Sequence, residues 1–358
     1  MQTAKRLDGI GEYYFSQKLR EIDELNKQGK QIINLGIGSP DLPPHPDVVK
    51  TLQEESTKPN VHGYQSYKGS PVLRKAMSDW YKKWYNVELN PDTEILPLIG
   101  SKEGIMHICM TYFEEGLAVL VPNPGYPTYS SAVKISGATA LYYDLKEENN
   151  YTPDFEQLEQ LVQQASVFPL KGVRGLFVNY PQMPTGEPAD KKLFEQLVAF
   201  GKKTGILIIH DNPYSFILNE HPMSLLSIDG AKDCVLELNS LSKSQNMAGW
   251  RVGMLGGAKE RIDEVLRFKS NMDSGMFLPL QLAAATALNL GKDWYDGVNK
   301  IYRERREKVF ELLDLLNCEY SKDQVGMFVW AKASPTPPKE GLKEHPLGIG
   351  GRLSDEVL

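Results

Sequence analysis

Cysteine is scarce in this sequence. Cys109, Cys234 and Cys318 are the only three among 358 residues, and they lie far apart. No Cys-x-x-Cys or Cys/His spacing suggests a zinc site, and the six histidines do not cluster, so no metal is expected. An odd number of cysteines in a long chain reads as free thiols in a reducing compartment. Positive charge is not in excess either. The formal net charge is -6, which argues against a basic nucleic-acid surface. Apolar runs such as 117–121 and 206–209 are far too short to span a bilayer. The first fourteen residues hold no apolar stretch of the secretory kind. There is no internal repeat and no long low-complexity tract. These absences leave a cytoplasmic enzyme with no membrane and no nucleic-acid partner as the expectation.

What is present is ordinary globular composition, 41% hydrophobic and 24% charged, in a chain long enough for two domains. Residues 14–27 read as an amphipathic helix and 32–35 as a short strand. From Pro71 onward helices and strands alternate. Helices are expected over 74–85, 102–113, 129–135 and 190–203, and strands over 95–98, 117–121, 140–143, 175–179, 206–210, 235–238 and 252–255. Several strands are continuous apolar runs, as strands covered on both faces require. Alternation of this kind predicts a mainly parallel α/β sheet. After Lys259 long helices dominate, notably 294–316, followed by a strand over 325–331 in a second, smaller domain. The tail from Pro335 to Gly351 is rich in proline and glycine and reads as a loop. Ser354-Asp355-Glu356 then reads as a helix start, which suggests a chain stopping early.

Four stretches carry chemistry. The first runs Asn239-Ser240-Leu241-Ser242-Lys243 and on to Arg251, just past an apolar strand. A lysine amine attacks an aldehyde only when deprotonated, and partial desolvation lowers its pKa. The serines and Arg251 suit a phosphate close by. In the second, Asp211 ends an apolar strand, where open α/β sheets place ligand-binding groups, and Tyr214 follows. A carboxylate there can keep a pyridine nitrogen protonated. At 4 Å and an effective dielectric of 20 the pairing is worth roughly 4 kcal/mol. Tyr214 can donate to a phenolate oxygen. The third, Gly100-Ser101-Lys102, lies between a strand and a helix whose first N–H groups can bind phosphate, without Walker spacing. The fourth, Pro122 to Tyr129, can present the ring of Tyr126 for stacking on a flat ligand. Each has a plainer reading: a surface loop, a turn cap, a βα turn, a Pro/Gly turn. Their occurrence in order at the carboxyl ends of successive strands is what chance does not reproduce. His210, next to Asp211, reads first as a buried histidine with its bonds satisfied and second as a residue that orients Asp211.

The combination resembles the class I/II aminotransferases, pyridoxal-phosphate enzymes of fold type I. The likeness covers nearly the whole chain and is most specific around Lys243 and Asp211. It implies an aspartate-aminotransferase-like α/β fold with a mostly parallel seven-stranded sheet in a large domain. The arm and part of the small domain would span 1–45, the large domain 46–290, and an incomplete small domain 291–358. It implies pyridoxal phosphate as cofactor, an amino acid and a 2-oxo acid as substrates, and a homodimer with shared sites. By resemblance Lys243 is the Schiff-base lysine and general base, Asp211 pairs with the ring nitrogen, Tyr214 with the ring oxygen, and Tyr126 stacks. Gly100, Ser101, Lys102, Ser240 and Arg251 match the phosphate cradle. Tyr64, five residues before Gly69, matches the tyrosine that reaches the neighbouring subunit's phosphate. Gly38 matches the glycine beside the substrate carboxylate.

Two departures stand out. Where the family shows Asn-Pro-Thr-Gly, this chain has Gln182-Met183-Pro184-Thr185-Gly186, and methionine cannot donate a hydrogen bond. Gln182 or Asn179 is the expected helper. The late arginine that grips the substrate carboxylate in the family has no counterpart here, since Arg352 precedes a helix start. That departure predicts cofactor binding with poor transamination. Two other readings share the same residues: a lyase or decarboxylase of the same fold, and a non-catalytic paralogue acting as a binding partner. The donor amino acid is open among aspartate, diaminopimelate, methionine and the aromatic residues.

Overall fold

Seven apolar runs in the middle of the chain become strands: β1 (Ile95–Leu98), β2 (Ala118–Asn123), β3 (Thr139–Asp144), β4 (Val173–Asn179), β5 (Leu207–Asp211), β6 (Val235–Ser240) and β7 (Gly253–Gly257). The structure is a computed structural model and describes residues 3–167 and 169–333. The strands form one sheet in the order β1-β7-β6-β5-β4-β2-β3. β2 pairs in parallel with β3 and β4, and β4, β5 and β6 continue in parallel. β7 alone runs antiparallel, against both β6 and β1. The carboxyl ends of β1, β2, β4, β5 and β6 therefore open on one edge, and the chain enters β7 at that same edge.

The sheet is covered on both faces, which explains the continuous apolar runs. Along β5, Ile208 faces one core with Leu120, Leu176 and Val235. Leu207 and Ile209 face the other with Val119, Phe177 and Leu238. The covering helices are α1 (Tyr14–Lys27), α2 (Pro46–Ser56), α3 (Pro71–Tyr85), α4 (Ser101–Tyr112), α5 (Thr128–Ile135), α6 (Phe155–Gln164), α7 (Lys191–Thr204), α8 (Lys259–Lys269), α9 (Leu278–Leu288) and α10 (Lys292–Leu315). Their ends are written locally. Ser70 caps α3 by accepting from the Leu73 N–H at 3.2 Å, with Pro71 in the first turn. Asp190 caps α7 through the Leu193 N–H at 2.7 Å, and Gly205 closes it in the left-handed conformation.

Two sequence expectations fail. Residues 32–35 form no strand, because no neighbouring segment offers a ladder; Ile33 and Leu35 stand exposed, and the Ile32 N–H is held by the Asn26 side chain at 2.6 Å. The strand expected over 325–331 is only β9 (Ala331–Ala333), paired with β8 (Cys318–Tyr320), which the sequence reading missed. The side chain of Gln324 explains the shortening. It bonds both the N–H and the carbonyl of Trp330, doing locally what a partner strand would do. The tail from 335, Arg352 and the helix start at Ser354 lie outside the described residues.

Candidate active site

β5 and β6 each deliver a chemical group to the open edge. β5 ends on Asp211, 5% exposed, and β6 ends on Ser240, three residues before Lys243. Lys243 and Asp211 are near enough that each charge shifts the other's ionisation. Burial pulls the Lys243 amine down to about 8; Arg251 adds to this and Asp211 opposes it. An amine near 8 is partly neutral at cellular pH and so nucleophilic. Lys243 Nζ donates to the carbonyl of Gly38 and lies 5.8 Å from the centre of the Tyr214 ring. Gly38 is thereby placed beside the amine. Its missing side chain leaves room for Phe328, whose ring a Cβ at 38 would meet at 2.6 Å.

Burial pushes Asp211 up to about 6, while a hydrogen bond from Tyr129 and the charges of His210 and Lys243 act the other way. The Tyr129 hydroxyl donates to Oδ2 at 2.8 Å. Among the described residues Oδ1 has no hydrogen-bond partner, although it is buried. A buried carboxylate oxygen left open in this way is a receptor for a donor brought by a ligand. Tyr129 is the residue that sequence reasoning missed. Its signal was the spacing Tyr126-x-x-Tyr129, which places it in the first turn of α5, three residues after the expected stacking residue. Tyr126 packs edge-on against it at 5.5 Å. The Tyr214 hydroxyl is held far above its ordinary ionisation range by burial and by Asp211.

The corner expected to take a phosphate joins α4 to the loop before β7. Gly100 has φ of 84°, and a Cβ there would collide with the Arg251 guanidinium. A Cβ at Gly253 would lie 2.6 Å from the Ser101 N. Backbone, helix N-terminus and guanidinium are thus brought together, and Arg251 is exposed. Gly100→Ala is expected to destabilise the fold by about 1–3 kcal/mol, since this backbone conformation is nearly exclusive to glycine. An unchanged urea midpoint would contradict that.

Three expected members sit differently from the rest. Ser240 Oγ turns to its own loop, accepting from the Ser242 N–H at 3.1 Å, while Ser242 Oγ meets Arg251 at 3.4 Å. The Lys102 ammonium lies 4.0 Å from the ring centre of Tyr13, a residue of the N-terminal arm. Tyr64 is 92% exposed and does not enter this chain's site. The expected helpers at the Met183 position are both anchored to backbone. Asn179 donates to the Asp211 carbonyl at 2.7 Å and accepts from the Met183 N–H at 2.8 Å. Gln182 donates to the Pro124 carbonyl at 3.0 Å and accepts from Thr185.

Comparison with known proteins bears on the family and the fold. The family profile described as aminotransferase class I and II matches residues 30–347. An LL-diaminopimelate aminotransferase of Dehalococcoides mccartyi is 40% identical over 92% of this chain and 84% of its own length. One from Aquifex aeolicus is 37% identical over 99% of this chain and 89% of its own. A substrate-bound structure of BacF from Bacillus subtilis superposes with a TM-score of 0.87 at 34% identity, covering 94% of this chain and 84% of that one.

Proposed function

Because this chain belongs to the class I and II aminotransferase family, we propose that it holds pyridoxal phosphate on Lys243 and draws the amino group from LL-diaminopimelate. The transfer of an amino group between an amino acid and a 2-oxo acid follows from the family and its relatives. The observation that carries the cofactor assignment is the unpartnered buried oxygen of Asp211 facing a site that also holds a lysine amine tuned to about 8. The donor is taken from the relatives, which bear that name at 36–40% identity.

When bound, pyridoxal phosphate supplies a protonated ring that takes up electrons released at the substrate carbon. In this reading Asp211 holds the proton on the ring nitrogen through its open oxygen. Tyr129 orients the carboxylate. Tyr214 donates to the ring oxygen, and Tyr126 covers the ring face. The backbone at Gly100 and Ser101, with Arg251, binds the phosphate; Ser240 shapes the loop that carries Lys243, and Lys102 joins through its N–H at the start of α4. Lys243 Nζ, partly neutral near pH 8, takes a proton from the substrate carbon and returns one. Gly38, whose carbonyl accepts from the Lys243 amine, marks the side of the amine where the substrate carboxylate would come. The exposure of Tyr64 supports a second copy of the chain whose phosphate it would reach. A large domain over 46–290, with a smaller one built from 1–45 and 291–358, completes the assignment. The unpaired cysteines support a reducing cytoplasm as its compartment.

The test is a half-reaction. The loaded chain mixed with LL-diaminopimelate alone is expected to lose its cofactor absorbance once, with one amino group transferred per site. Continued product release without a 2-oxo acid would mean a lyase. Response to aspartate or an aromatic amino acid, and not to diaminopimelate, would move the substrate.

Met183 makes a separate prediction. Methionine leaves the ring oxygen one donor short, and the neighbouring amides are tied to backbone. Met183→Asn is expected to lower the pH midpoint of the bound cofactor's absorbance by about one to two units, the equivalent of a 1.5–3 kcal/mol bond to a charged oxygen. Identical midpoints in the two proteins would sink the idea.

A further inference from the structure

Behind Asp211, on the opposite face of β5, lies a polar cluster that the proposed chemistry does not use. His210 and Glu237 are paired across β5 and β6, and both are 0% exposed. His210 Nδ1 is 2.7 Å from Glu237 Oε2, and His210 Nε2 is 3.0 Å from the Tyr180 carbonyl. A carbonyl oxygen only accepts, so Nε2 carries a proton. Glu237 already accepts from the Ser224 hydroxyl at 2.8 Å and from the Leu225 N–H at 2.8 Å. Donors converge on it from two sides, which favours the ionised carboxylate, so Nδ1 carries a proton as well. Among the described residues the ring has no third hydrogen-bond partner; Phe194 packs edge-on against it at 5.2 Å.

We propose that His210 is a positioning residue for the aminotransferase reaction: an imidazolium fixed between Glu237 and the Tyr180 carbonyl that keeps the adjoining Asp211 carboxylate ionised. The proposal rests on the cofactor assignment above only in its second half. Asp211 is otherwise surrounded by the Tyr129 hydroxyl, the Lys243 amine and Tyr214, and the Lys243 amine, lowered to about 8, is only partly charged around neutral pH. His210, with both ring nitrogens set against acceptors, is then the second positive charge beside it. Burial, the largest influence on Asp211, works toward its neutral form, and the His210 charge works against that. On the far side, burial holds the Tyr81 and Tyr85 hydroxyls well above their ordinary range, and the Glu237 charge adds to this.

The charge can be read without any cofactor. In a chain labelled with 15N only in histidine, His210 is expected to show protons on both ring nitrogens at pH 7.5. Glu237→Gln keeps the shape of the site, and with it one of the two protons should disappear. A single ring proton in the unsubstituted chain overturns the proposal. In the loaded enzyme, Glu237→Gln should move the acidic limb of the half-reaction's pH profile upward by about one unit, with an approximately ten-fold loss at a pH on that limb. An unmoved limb, with the proton shown to be gone, also overturns it. His210→Gln, a neutral donor to the Tyr180 carbonyl, gives a second variant should the first fold poorly. Two ring protons in a chain that takes up no pyridoxal phosphate would refute the proposed cofactor while supporting the imidazolium.

Discussion

Lys243→Ala is expected to lower amino-group transfer by about four orders of magnitude or more, because one side chain serves as both covalent anchor and proton carrier. No other amine is placed beside Asp211 among the described residues to substitute for it. The fold should survive. The buried amine has its pKa lowered from 10.5 to about 8, so charging it costs the folded state free energy at every pH below about 8. That cost fades as pH rises through 8 toward 10.5, where the unfolded chain also loses its proton. Alanine removes a penalty of up to about 3 kcal/mol at neutral pH, offset by the lost bond to the Gly38 carbonyl and the lost aliphatic packing. The net change in stability is therefore small. Two measurements check this: borohydride reduction should fix pyridoxal phosphate on the peptide holding Lys243 and leave the variant unlabelled, and the denaturation midpoint should hardly move. Transfer at the unsubstituted rate by the variant would remove Lys243 from the chemistry.

Asp211→Asn is expected to move activity and stability in opposite directions. An amide cannot hold the ring nitrogen protonated. The interaction lost is roughly 4 kcal/mol at 4 Å and a dielectric of 20, which corresponds to about a thousand-fold in rate. Stability of the cofactor-free chain should rise instead. Burial lifts the Asp211 carboxyl from 3.8 to about 6, so the folded state binds its proton more tightly than the unfolded state does. The resulting penalty is absent at low pH, grows as pH passes from 3.8 through 6, and is complete above that. Two pK units amount to about 3 kcal/mol. Asparagine avoids the ionisation and can still accept from the Tyr129 hydroxyl. The variant should therefore be more stable at pH 8 by up to about 3 kcal/mol, with the gap closing below about pH 4. Urea titrations at the two pH values decide it. Equal stability at pH 8 would mean that Asp211 carries no burial penalty.

Much of the fold was legible because its signals are local. Runs such as 117–121 and 206–209 are apolar on both faces, so they had to be central strands, and Asp190 and Gly205 mark the two ends of α7 within a few residues. Residues 32–35 and 325–331 were misread for the opposite reason. A strand needs a partner, and nothing within either segment says whether one is present; for 325–331 the Gln324 side chain takes that place. The same distinction runs through the candidate site. Lys243, Asp211, Tyr214 and Arg251 announce themselves by residue type at strand ends, whereas Tyr129 shows its role only when α5 folds back to place its hydroxyl 2.8 Å from a carboxylate 82 residues away.

The sequence by itself determined the order of the seven strands of the main sheet, the family, and the kinds of side chain presented at the sheet's edge, because each depends on neighbours in the chain. Tertiary structure alone decided the ionisation of those side chains. Burial sets Asp211 near 6 and Lys243 near 8, and the pairing of β5 with β6 sets His210 against Glu237. Desolvation and Coulomb interactions depend on distances through space, and those exist only once remote segments have packed.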